Sequence, residues 1–225
     1  MASLSLLYFS FNLQEQWSTN EIVERIFNVE FKEDENRFVL HDYDEKIIDG
    51  IFIMYYVAKE WKYNIQSKIV ESVDIQKTNV IAFTIDIEQR ILEIWSNKSN
   101  AQKVIVALGL SLDNKVIIDT IQITIPNTID KLLKNAVVFG KIKIENFLLE
   151  NNLVASCIFD LSNYESPKLI LERYKKDIVQ LSVGFRNYED IASVTFYSTG
   201  SVVLYKSKES LHPELLEKIK SICLS

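Results

Sequence analysis

Glycine, proline, cysteine and histidine are all scarce in this 225-residue chain, which has five Gly, three Pro, two Cys and two His. A loop that cradles phosphate needs clustered glycine so that the backbone can approach the anion. Gly50, Gly109, Gly140, Gly184 and Gly200 are instead scattered, and there is no GxGxxG, no Walker-type loop and no GxSxG elbow. That sets aside the common nucleotide-binding and hydrolase classes. His41 and His212 lie far apart, so a zinc site or a histidine triad would have to manage with one of them. His212 precedes Pro213 and reads as the start of a helix. Cys157 and Cys223 form no CxxC pair, and two cysteines in a chain this long read as reduced thiols packed among apolar neighbours.

Long apolar runs are missing too. The stretches around Ile47–Ala58 and Val104–Leu112 are well short of the roughly 18–20 residues that a membrane span needs. The opening MASLSLLYFSFNLQEQW alternates like a strand and has no basic flank or cleavage site of a leader. We therefore expect a cytoplasmic protein with no membrane association. No motif asks for a cofactor or a metal.

What remains is an ordinary globular composition, 48% hydrophobic and 25% charged. The formal charge of −6 is uneven: residues 1–50 hold eleven acidic and four basic side chains, leaving +1 for the rest. The acidity concentrates in Glu30–Arg37 and His41–Lys46, which would repel phosphates and suits a basic protein partner.

Ser18-Thr19-Asn20-Glu21 forms a capping box, followed by Ile22, Val23, Ile26 and Phe27 at helical spacing. Strand character then dominates, in Arg37–Tyr43, Ile47–Lys59, Ile65–Ile75, Val80–Asp86 and Arg90–Ser96. The last two read as a hairpin through Ile87-Glu88-Gln89. A helix is expected from Asn100 to Leu108 with Gly109 just past its end. In the second half, strands are expected at Lys115–Thr124, Val137–Leu149, Leu153–Asp160, Ile178–Arg186, Ala192–Tyr197 and Val202–Lys206. Helices are expected after Pro126 and after Pro167, with a last amphipathic one at Leu211–Leu224.

Residues 79–108 and 192–223 each run hairpin then helix. This suggests an α+β fold of mainly antiparallel sheet with about five short helices, built as two related strand–strand–helix lobes. No flexible linker separates them, so lobes at 1–112 and 113–225 should pack closely, with a boundary at Asp113–Asn114.

No catalytic constellation stands out, so the leading expectation is a non-catalytic subunit that binds a larger protein partner. The acidic residues Asp42, Asp44 and Glu45 are its candidate binding residues. Tyr55, Tyr56, Trp61 and Tyr63 would add a protein-binding patch if exposed beside that acidic face. Heavy use of Ile, Lys and Asn suggests an AT-rich bacterial or phage genome, where such a subunit would sit in a multi-protein system such as a defence operon. The first alternative is a nucleic-acid-binding sheet saddle using the basic residues of the second half, chiefly Lys141 and Lys143. The second is a metal-dependent nuclease using Asp49 with the triplet Glu60-Trp61-Lys62, which follows the apolar strand from Ile47 and in which Glu60 and Lys62 are the acid–x–Lys pair.

Overall fold

The computed structural model describes residues 4–28, 35–150, 153–186, 192–206 and 210–224. These form eleven strands and five helices, about 50% strand and 25% helix, so the protein is α+β with mainly antiparallel sheet. In order the elements are β1 (Leu4–Leu13), α1 (Thr19–Phe27), β2 (Arg37–Tyr43), β3 (Ile47–Asn64), β4 (Ile69–Asp86), β5 (Ile91–Trp95), α2 (Lys98–Ser111) and β6 (Val116–Thr120). There follow α3 (Ile125–Leu132), β7 (Val137–Glu150), β8 (Leu153–Asp160), α4 (Pro167–Arg173), β9 (Ile178–Phe185), β10 (Ala192–Tyr197), β11 (Ser201–Leu204) and α5 (Pro213–Cys223). The chain makes two units, residues 10–118 and residues 1–9 with 119–225.

In the unit of residues 10–118 the strands lie in the order β2-β3-β4-β5-β1. Alternation along β3 sends Ile48, Gly50, Phe52 and Met54 to one face, where they meet Ile85, Phe83 and Ile81 of β4. Leu92 and Ile94 of β5 continue the same rows. Helices α1 and α2 cover that face with Ile22, Val23, Ile26, Ala101, Val104 and Leu108, all buried. Gly50 is a packing requirement here. A Cβ at that position would lie 2.8 Å from Phe83 Cζ and 3.0 Å from Phe27 Cζ.

The capping box forms as the spacing predicts. Ser18 Oγ accepts from Glu21 N, and the Glu21 carboxylate accepts from Ser18 N at 2.7 Å. That backbone bond, with the Ser18 hydroxyl, holds the Glu21 carboxyl below its ordinary range. Ser18→Ala should cost about 1 kcal/mol at neutral pH, the usual loss for an N-cap. Because the folded-state pKa of Glu21 is depressed, its share of this stability is present above the unfolded value of 4.5 and fades as acid protonates it. Urea melts of both proteins at pH 7 and pH 3 should therefore show a smaller difference at the lower pH.

In the other unit the order is β1-β11-β10-β9-β7-β8. Phe139, Ile142, Ile144, Leu181, Val183, Phe185, Val194 and Phe196 are buried, and so are Ile129 and Leu132 of α3 and Leu215 and Ile219 of α5. Lys131 Nζ donates to the carbonyls of Ser221 and Ile222, placing a cation on the negative end of α5. His212 caps the other end of α5, its Nδ1 accepting from Glu214 N at 3.3 Å.

Along the chain the element order runs strand, helix, strands, helix twice. The first is β1-α1-β2-β3-β4-β5-α2. Leaving out β8 and α4, the second is β6-α3-β7-β9-β10-β11-α5, with β7-β9-β10-β11 side by side as β2-β3-β4-β5 are. The hairpin–helix stretches recognised in the sequence are the last part of each series.

Three local expectations are corrected. Gly109 lies inside α2, which runs on to Ser111 and ends where Asp113 (φ 51°) and Asn114 (φ 56°) turn left-handed. Asn114 N then closes on Gly109 O at 2.7 Å, so Asp and Asn do the work expected of glycine. Cys157, read as core filler, is half-buried on strand β8. The strand breaks expected after Lys59 and between Ile75 and Val80 do not exist, because β3 and β4 pair without interruption over 18 residues each.

Candidate protein-docking site

Those two uninterrupted strands create the most distinctive surface of the chain. Strand β2 pairs with β3 only as far as Arg37↔Ile53, after which Asn36 Oδ1 accepts from Tyr55 N at 2.9 Å. From Tyr55 onward β3 and β4 continue as a two-stranded ribbon to the pair Asn64↔Ile69. Ten residue pairs at about 3.3 Å each make an arm of roughly 33 Å. No residue from Tyr55 to Val80 is buried. The tip is a turn in which Asn64 Oδ1 accepts from Gln66 N and Ser67 N, with Lys68 left-handed at φ 55°.

The two-residue period of the strand sorts the ribbon into two faces. One carries Tyr55, Val57, Lys59, Trp61 and Tyr63, with Val70 opposite Tyr63. Trp61 is 73% exposed, Val57 66% and Tyr63 61%. The other face carries Tyr56, Ala58, Glu60 and Lys62. Four lysines (59, 62, 68 and 77) stand against Glu60, Glu71 and Asp74, so the ribbon is almost neutral. A hairpin with no core beneath it is marginal in water, and large apolar groups grouped on it mark a contact surface.

The carboxylates proposed for metal chemistry are not assembled. Asp49 and Glu60 stand eleven positions apart on β3, roughly 36 Å, and their odd spacing puts them on opposite faces. Asp49 accepts from Thr84 Oγ1. Glu60 pairs with Lys77 at 2.6 Å, and this hydrogen bond lowers the carboxyl pKa and raises that of the amine. Lys62 stands two residues along on the Glu60 face, opposite Glu71. Among the described residues no group of three or more His, Cys, Asp or Glu side chains is placed to hold a metal ion.

The acidic candidates sit at the other end of β3. Asp44 Oδ1 accepts from Lys46 N and Ile47 N at 2.7 and 2.8 Å, and these two bonds hold its carboxyl below the usual range. Asp42 Oδ1 accepts from Tyr43 N, and the Glu45 carbonyl accepts from Thr19 Oγ1. Asp42 and Asp44 thus build the β2–β3 turn. A full 18-residue strand, roughly 60 Å, separates that turn from the ribbon tip, so the aromatic cluster does not adjoin the acidic turn. The other acidic stretch, Glu30–Asp34, lies outside the described residues.

Lys141 and Lys143 do share a face of β7, the one turned away from buried Ile142 and Ile144. Lys143 is occupied by Glu145 at 3.1 Å. Lys141 instead borders a shallow groove of about 540 Å³ whose floor includes Gly140, Ser182, Gly184, Ser193 and Thr195. Ser182 Oγ and Thr195 Oγ1 are 2.8 Å apart in a hydrogen bond. Arg186, not singled out in the sequence, stands on the same groove. It closes strand β9 one residue past buried Phe185, a position that strand alternation alone would have marked.

No protein-family model matches the chain, and no curated protein matches it in sequence. Among the described residues no helix is long and apolar enough to cross a membrane.

Proposed function

We propose that this protein is a non-catalytic docking subunit that grips a protein partner with the β3–β4 ribbon. The observation that supports this most is the exposed stripe of Val57, Trp61 and Tyr63 along one face of an arm that buries none of its own residues. Tryptophan and tyrosine are the residues that most often carry binding energy at protein interfaces. The near-neutral arm suits a partner surface recognised by shape and apolar contact. The deciding experiment is capture on the tagged full chain in its native cells, washed at low and high salt, with mass spectrometry and a nucleic-acid stain. A stoichiometric protein retained at high salt supports the reading. Nucleic acid alone, lost as salt rises, overturns it.

A second reading rests on the groove beside Lys141 and Arg186. The small-residue floor lets a phosphate backbone approach, and Lys141 and Arg186 flank it, with Asp160 across the ladder from Lys141. If this face holds nucleic acid, Lys141→Glu with Arg186→Glu should weaken duplex binding at low salt by about tenfold or more and flatten its salt dependence. Fluorescence anisotropy at several salt concentrations measures both. Unchanged affinity removes the reading.

A further inference from the structure

We infer that strand β8 is a strand-pairing edge, and that its occupant is the β8 of a second copy of this chain. Among the described residues β8 pairs with β7 alone and ends its sheet. Exposed edges are ordinarily blunted by charge, proline, brevity or a bulge. Strand β2, the edge of the other unit's order, follows that rule: it carries Arg37, His41 and Asp42 and a bulge between Leu40 and Asp42. Strand β8 does not. Its sequence LVASCIFD has no lysine and no proline, and its only charge is Asp160 at the last position. Leu153, Val154 and Ile158 are all exposed.

The unsatisfied backbone groups can be assigned. Leu161 N donates to Gly140 O of β7 at 2.9 Å, and the pairing Lys141↔Asp160, Ile142↔Phe159 continues from there. Antiparallel pairing alternates, so the odd-numbered residues of β8 bond toward β7. The N–H and C=O groups of Val154, Ser156, Ile158 and Asp160 therefore point away from the sheet. What such a row accepts is another strand.

The pattern along β8 selects a copy of itself. A two-fold axis perpendicular to the sheet keeps each side chain on its own face, so paired residues must share parity. Centred on Ser156, it pairs Val154 with Ile158 and Leu153 with Phe159, each twice, and all hydrogen bonds use the outward-facing residues. Apolar groups meet apolar groups, and Asp160 lies beyond the paired core, so no like charges meet. This is an isologous, closed interface.

Sedimentation equilibrium of the full chain tests it. The wild type should dimerise, and Ile158→Lys, at a position 67% exposed in the single chain, should abolish the dimer while leaving a folded monomer, with unchanged circular dichroism and a melting temperature that no longer depends on concentration. Ser156→Pro, which removes an outward N–H and leaves the β7 ladder intact, should do the same. Trp61→Ala with Tyr63→Ala should leave the dimer in place, which separates this inference from the docking reading. A wild type that stays monomeric overturns the proposal. A dimer that survives Ile158→Lys, or one that dissolves only in the Trp61 and Tyr63 variant, overturns it equally. So does a monomer whose β8 amides gain exchange protection only from a different protein, because the edge then belongs to a foreign strand.

Discussion

Phe83→Ala should destabilise the protein by about 3–5 kcal/mol, a large part of what a typical domain has to lose. The ring is fully buried opposite Gly50, in the part of the β3–β4 pairing that the helices cover. It lies parallel to Phe27 with centroids 6.3 Å apart, and meets Phe38 edge-on at 5.5 Å. Phe38 in turn packs on Phe52 at 4.8 Å. Helix α1 and strands β2, β3 and β4 are thus joined through one ring. Its removal leaves a hole that the surroundings cannot easily fill, because Gly50 opposite has no side chain to move in. Phe83→Leu keeps most of the volume and should cost distinctly less. Urea denaturation followed by circular dichroism measures both losses. A Phe83→Ala loss below about 1 kcal/mol would contradict this picture of the core.

Where burial or capping chemistry sets the structure, it could be read from the chain. The Ser18–Glu21 box, the β4–β5 hairpin and the helices that open at Pro126 and Pro167 each have a local cause visible in a few residues. The ribbon had no such signal. Its two faces are both solvated, so apolar and polar residues need not alternate, and Glu60-Trp61-Lys62 and Gln76–Asn79 look like interruptions. In the folded chain they are ordinary ladder positions held by cross-strand pairing. The end of α2 was missed for a related reason: glycine is the usual residue for a left-handed turn, but Asp and Asn tolerate it when their side chains stay local. Side-chain partners across elements were out of reach as well. The Lys143–Glu145 pair, two residues apart on β7, is local, but nothing local says that Arg186, beyond the end of β9, reaches the groove beside Lys141. Sequence proximity also overstated the acidic site, since Asp44 uses its carboxylate on its own turn.

The same separation of folding from surface chemistry shapes the second large effect. Trp61→Ala with Tyr63→Ala should reduce capture of the protein partner by about two to three orders of magnitude, if each ring supplies the 2 kcal/mol or so typical of an interface hot spot. Stability should hardly change, within about 0.5 kcal/mol, because both side chains are mostly in water in the free chain. That combination is the signature of a docking residue; a core residue such as Phe83 would lose binding and fold together. Glu60→Gln is the matched control on the opposite face. It breaks the exposed ion pair with Lys77, which contributes little to stability, and leaves the aromatic stripe intact. Capture by wild type, Glu60→Gln and the double variant, each with its melting temperature, therefore distinguishes the stripe from the ribbon as a whole. Equal loss in Glu60→Gln and the double variant would mean that the arm acts through its shape or charge. Retention in the double variant would remove the Trp61 and Tyr63 rings as the docking anchor; neither other tryptophan of the described chain stands free to replace Trp61, since Trp95 is buried and Trp17 lies under the Arg25 guanidinium at 4.3 Å.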